Sequence, residues 1–182
     1  MNTRIYIEQY GVVDPTPASF KICYSHGCED LAEVQLSPDQ WERVRAIFSA
    51  KSADAATERE NISHAIGMLE SMVGPLTETE KDIGGSFHGI LRANQMDCVD
   101  EAVNTLTYLT MMEQDRLISY HDINLPASRG FFLNGWPHVA PVLVNKQTKE
   151  KYVVDSWFLD NGQPAVVLPY KKWKSGWKPV RN

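Results

Sequence analysis

The stretch that does most to narrow the architecture begins at Asp97. Asp97 can cap a helix, Asp100 sits three residues on, and Val99, Ala102, Val103, Leu106, Leu109 and Met112 form one apolar stripe. β-rich runs follow at 116–121, 129–133, 138–145, 151–158 and 165–170. Their separators hold Pro126, Asn134-Gly135 and Asn161-Gly162, which is turn chemistry. One helix followed by an antiparallel meander is an α+β arrangement.

The first half reads as a mixed lobe over 1–86, and 87–182 as helix plus sheet, within one domain of 182 residues. Residues 4–10, 20–24 and 33–36 have the pattern of short strands. A helix start follows at Ser37-Pro38-Asp39-Gln40: Ser37 can cap, Pro38 suits the first helical position, and Gln40 completes a capping box. A second helix over 55–73 presents Ile62, Ile66, Leu69 and Val73 on one face, and Gly74-Pro75 is expected to stop it. Residues 77–86, ending Gly84-Gly85-Ser86, read as a mobile loop.

Chemistry concentrates on Cys98. It follows the expected cap Asp97 and so occupies the first turn of its helix, where unpaired N–H groups and the positive dipole end lower a thiol's pKa. Asp97, Asp100 and Glu101 oppose that effect, so a cationic partner is needed. His138 is the best candidate. It opens the strand His138-Val139-Ala140-Pro141-Val142-Leu143-Val144, and the next strand contains Val153-Val154-Asp155-Ser156-Trp157. A hairpin turning at Lys146-Gln147 sets His138 directly opposite Asp155 on one sheet face. An Asp beside a His fixes its tautomer and stabilises its charged form, as a nucleophile–base–orienter triad requires. A one-residue slip would separate the two.

Helix-borne Cys, then strand-borne His, then an acid on the next strand is an order that resembles papain-like and transglutaminase-like cysteine enzymes. The stretch Asp155-Ser156-Trp157 is similar to the Asn-Ser-Trp that ends the papain triad, whose Trp shields the His–acid contact, and an Asp there resembles the transglutaminase-like branch. The resemblance covers residues 95–157. It implies a papain-like or transglutaminase-like core, with Cys98 as nucleophile, His138 as general base and acid, and Asp155 as orienter. It further implies acyl transfer from a peptide or amide through a Cys98 thioester, to water as in a peptidase or amidase or to an amine as in a transglutaminase, with water the expected acceptor and no metal or organic cofactor. Papain relatives place a Gln upstream of the Cys to hold the oxyanion. Gln95 is the nearest match, although closer to the Cys than that pattern has it, so the Cys98 backbone N–H is the expected donor. The loop 77–86 and the turn 134–137 are expected to flank the cleft, which adds His88 and Trp136 to Trp157 as cleft candidates.

Other features receive plainer readings. Cys23 and Cys28 have spacing close to that of zinc ligands, but no second Cys/His pair follows, so a packed thiol pair or a disulfide is expected rather than a metal site. His64 and His121 read as structural or exposed. The run 170–178 is basic and aromatic, a mixture that can hold single-stranded nucleic acid. A net charge of −5 argues against that partner and favours Trp173 and Trp177 packing on the sheet with lysines in water. Nothing spans a membrane, and the start Met1-Asn2-Thr3-Arg4-Ile5-Tyr6-Ile7-Glu8 lacks a signal peptide's apolar core, so a cytoplasmic location is expected. The alternatives to catalysis are a binding protein on the same fold, or an anion or nucleic-acid binder using the basic tail.

Overall fold

The capping box at residue 37 forms as its residues dictate. In the computed structural model, which describes residues 2–49, 52–85, 95–130 and 137–180, the Gln40 amide donates to Ser37 Oγ at 3.2 Å and the Ser37 amide to Gln40 Oε1 at 2.8 Å. This starts helix α2 (Pro38–Ile47), whose Trp41 and Val44 enter the core. Helix α3 (Ala55–Thr77) starts on Asp54, which accepts the Thr57 amide at 2.8 Å. Gly74-Pro75 does not stop it. Pro75 lies in the last turn, where the Thr77 hydroxyl donates to the Val73 carbonyl at 3.1 Å and the Thr79 amide to the Gly74 carbonyl at 3.1 Å. The helix ends at Glu78, in the left-handed region at φ 60°.

Residues 4–10 form no strand. Asn2 caps a helix instead, accepting the Ile5 amide at 2.9 Å, and α1 (Thr3–Glu8) results. The alternation of Ile5 with Ile7 suggested a strand, but only Ile7 is buried. Tyr6 and Tyr10, one helical turn apart, pack with Ile7 against Val99, Val103 and Leu106. Strand β1 (Phe20–Tyr24) pairs antiparallel with β2 (Asp30–Val34), which lies earlier than the expected 33–36.

Helix α4 (Cys98–Gln114) carries the apolar stripe and is buried along most of its length. A four-stranded antiparallel sheet follows in the order β3 (His121–Arg129), β4 (His138–Asn145), β5 (Lys151–Asp155) and β6 (Val166–Pro169). The expected strand 116–121 contributes only His121. Glu58 of α3 accepts the amides of Ser119, Tyr120 and His121, which occupies the backbone that a longer strand would have paired. Of the expected strand 129–133, Arg129 ends β3 and residues 131–133 lie outside the described set. The run 165–170 splits, with Tyr170 opening α5 (Tyr170–Lys174). With five helices and two antiparallel sheets among the described residues, the fold is α+β.

The two faces of the larger sheet do different work. Leu143 and Val154 join the core with Leu69 of α3 and Leu109 and Met112 of α4. Val142, Val153 and Leu168 pack with Trp173 of α5, and Cys98 reaches this second cluster from the first turn of α4. Of the loop expected to be mobile, residue 86 lies outside the described set and the end before it is packed down: the Gly85 amide donates to the Trp157 carbonyl at 2.5 Å and the Gly84 amide to Asp160 at 3.0 Å. A Cβ on Gly84 would meet the Leu159 backbone at 2.2 Å, so only glycine permits that approach. Among the described residues no helix is long and apolar enough to cross a membrane.

Candidate active site

Cys98 stands where the sequence puts it, at the first position of α4. Asp97 accepts the amides of Val99 and Asp100 at 2.9 Å each, and the Asp97 amide returns a bond to Asp100 at 3.0 Å. The same two carboxylates bind a second element. The amides of His26 and Cys28 donate to Asp100 at 2.8 and 2.6 Å, and that of Gly27 to Asp97 at 3.0 Å. Ser25, His26, Gly27 and Cys28 all have φ between 62° and 68°, and the Cys23–Cys28 disulfide closes this left-handed loop. The acids that flank the thiol are therefore bound to backbone donors. Burial pushes the Asp100 carboxyl up to about 6, and the charge of Asp97 adds to it.

The thiol itself is a weak acid in this state. Burial pushes Cys98 up to about 11, with Asp97 and Asp155 adding to the rise. The Val139 amide and the Cys98 amide pull the other way. Cys98 Sγ lies 3.9 Å from the Pro137 carbonyl oxygen. The sulfur therefore touches the residues on both sides of His138.

His138 and Asp155 come together on one sheet face, in a register different from the expected one. Val142 pairs with Val153, Leu143 with Tyr152 and Val144 with Lys151, two residues displaced from a ladder that sets His138 opposite Asp155. A displacement of two preserves which side chains share a face, because the side-chain period of a strand is two. His138 and Asp155 become diagonal neighbours, and His138 Nε2 reaches Asp155 Oδ2 at 2.7 Å. With Asp155 ionised, Nε2 carries the proton and Nδ1 is the basic nitrogen.

The strand β5 ends at Asp155 rather than continuing to 158, and the chain turns so that Trp157 covers His138, ring centroids 4.7 Å apart. Phe158 and Trp173 complete the surround at 5.3 and 5.7 Å. Between Asp155 and Trp157, the Ser156 hydroxyl donates to Glu101 and lies 3.0 Å from the Thr105 hydroxyl. These bonds tie the strand that carries Asp155 to the helix that carries Cys98.

The Gln95 side chain is bound at both ends by the segment that precedes it. Its carbonyl accepts the Ile83 amide at 3.2 Å and its amide donates to the Lys81 carbonyl at 3.1 Å, so both ends secure the segment 81–83. His88 and Trp136 lie outside the described residues. Among the described residues no group of three His, Cys, Asp or Glu side chains is arranged to hold a metal ion.

A second buried histidine–carboxylate pair shows what sets His138 apart. His121 Nδ1 meets Glu58 Oε1 at 2.8 Å, and Arg59 Nη1 lies 3.1 Å from His121 Nε2. A guanidinium only donates, so His121 Nε2 accepts and Nδ1 carries the proton. Both ring nitrogens are then engaged, which leaves no base. Burial acts to raise Glu58, but His121 and the amides of Ser119 and Tyr120 outweigh it and hold the carboxyl below its usual range.

Sequence reasoning passed over two residues beside the His–Asp pair. Trp173 Nε1 donates to Asp155 Oδ2 at 2.7 Å. Arg129, 6% exposed and paired with His138 across the β3–β4 ladder, donates to the Trp173 carbonyl and stacks 4.6 Å above the Trp173 ring. The run 170–178 marked Trp173 as a packing residue, and pattern alone does not show which way an indole N–H points. No family model, curated protein or solved structure matches this chain. Its class therefore rests on its own geometry: an α+β protein in which a helix-borne thiol lies beside a buried His–Asp pair.

Proposed function

We propose that this chain is a cysteine-dependent acyl-transfer enzyme that hydrolyses a peptide or amide through a Cys98 thioester, on a papain-like or transglutaminase-like core. The observation that carries the reading is the 2.7 Å His138–Asp155 contact under Trp157, with the Cys98 sulfur against the residues on either side of His138. Because burial holds Cys98 as a neutral thiol, the reaction starts from a thiol–imidazole pair rather than a standing ion pair. His138 Nδ1 takes the thiol proton as sulfur attacks the carbonyl carbon, and Asp155 stabilises the imidazolium that forms. The Cys98 backbone N–H, in the first turn of the helix where no carbonyl of the helix itself accepts it, meets the oxyanion. Collapse breaks the C–N bond, His138 returns its proton to the departing amine, and a thioester remains. His138 then takes a proton from water, the hydroxide attacks the thioester, and the proton returns to sulfur as the acid leaves. A cytoplasmic setting belongs to this proposal.

The raised thiol favours one other reading, a binding pocket on the same fold with no covalent step. An activated ester separates the two. Incubation with p-nitrophenyl acetate should leave an acetyl group on the peptide containing Cys98, in a burst that Cys98→Ala abolishes. Wild-type protein that carries no acyl group on Cys98, with ester hydrolysis equal to that of Cys98→Ala, overturns the enzymatic reading.

A further inference from the structure

We propose that Trp173 of α5 is a positioning residue for the Cys98–His138–Asp155 site: its indole N–H fixes the Asp155 carboxylate, and Arg129 fixes Trp173. The inference deepens the acyl-transfer reading and rests on it.

Two donors converge on one atom. His138 Nε2 and Trp173 Nε1 each lie 2.7 Å from Asp155 Oδ2. A carboxylate on the last residue of a strand can rotate about its side-chain bonds, and one bond from His138 would leave that rotation open. A second donor, from a ring that is itself fully buried, closes it. Trp173 is held in turn from two sides. Arg129 donates to its carbonyl and stacks on its ring, and Tyr170, three residues earlier on α5, lies 6.5 Å from it centroid to centroid. The C-terminal aromatic and basic segment thus acts on the site through Asp155.

The charges around the pair fit this role. Asp155 faces His138 from β5, Arg129 faces Asp155 from β3, and Cys98 with Asp97 approaches from α4. Burial acts to lower the Arg129 guanidinium and Asp155 opposes that, so a buried cation sits opposite the buried carboxylate. A site holding this arrangement keeps Asp155 able to orient His138 while the indole N–H takes part of its charge.

The test is the pH profile of Cys98 alkylation by iodoacetamide, measured on the full chain by mass spectrometry, in wild type, His138→Ala, Trp173→Phe and Lys172→Ala. Trp173→Phe keeps a six-membered aromatic ring and removes the N–H donor together with the pyrrole part of the indole. It is expected to slow alkylation at neutral pH by about tenfold and to move the profile toward alkaline pH, between wild type and His138→Ala. Lys172→Ala, on the exposed side of α5, is expected to match wild type. If wild-type alkylation depends on His138 while Trp173→Phe reproduces the wild-type profile, Trp173 has no positioning role and the acyl-transfer reading stands. If wild-type alkylation does not depend on His138, that reading and this inference fall together. Should Trp173→Phe fail to fold, the Trp173 indole N–H resonance of the wild-type protein decides. It is expected to shift in Asp155→Asn, and an unchanged resonance overturns the inference.

Discussion

Glu70 of α3 is 6% exposed, and its Oε1 has no hydrogen-bond partner among the described residues. Its other oxygen accepts the Gly162 amide at 3.0 Å. Burial pushes the carboxyl up from 4.5 to about 8, against that amide bond and with the charge of Asp82 adding. Its neighbour Glu101 is raised well above its ordinary value by burial and by Glu70. The folded chain therefore holds a proton on Glu70 more tightly than the unfolded chain does. A raised acid pKa contributes a penalty that is absent below 4.5, grows as pH rises and levels off above about 8. Glu70→Gln keeps an oxygen for Gly162 and removes the titration. At pH 5 the variant and the wild type should differ by less than about 1 kcal/mol; by pH 9 the variant should be the more stable, by about 2–5 kcal/mol. Urea unfolding followed by tryptophan fluorescence at pH 5, 7 and about 9 measures this. Parallel pH dependences in the two proteins would show that Glu70 is ionised in the fold or relieved by a partner.

Other expectations concern elements on which the site depends. Glu58→Ala should destabilise the protein by about 3–5 kcal/mol by stranding buried His121, yet leave His138-dependent alkylation of Cys98 intact in the folded fraction. Denaturation midpoints and alkylation rates on the same samples check both halves. Asp100→Ala removes the acceptor for the amides of Asp97, His26 and Cys28 and should cost about 2–4 kcal/mol in urea unfolding. A loss near zero would mean that water replaces those bonds freely.

The parts of this structure that sequence revealed were those written in local chemistry. The Ser37 and Asp97 capping boxes were legible because a cap is a pattern of four residues. Strand β4 was legible at both ends, and the pairing of His138 with Asp155 was legible in parity though displaced by two residues in register. What failed was set by tertiary contacts. Alternating Ile5 and Ile7 signalled a strand until Asn2 supplied a cap and α4 a surface. Residues 116–120 have strand-like composition, but Glu58, 61 and 62 residues away, binds the amides of Ser119 and Tyr120 instead. The Trp173 donor, the Arg129 stack and the Glu101–Ser156 bond all join segments distant in sequence, and no spacing rule encodes them.

The account turns on whether His138 activates Cys98. Cys98 is the free cysteine of the fold, since Cys23 and Cys28 are bonded to each other, so alkylation reports on it alone. Iodoacetamide rates should be followed from pH 5 to about 11 in wild type, His138→Ala and Asp155→Asn, with circular dichroism confirming that each is folded. The geometry predicts alkylation of wild type at neutral pH at least about tenfold faster than in His138→Ala, where reactivity should appear only as the medium approaches the buried thiol's own value of about 11. Asp155→Asn should fall between them. Identical profiles in wild type and His138→Ala would contradict the account, leaving Cys98 a buried thiol beside a structural histidine.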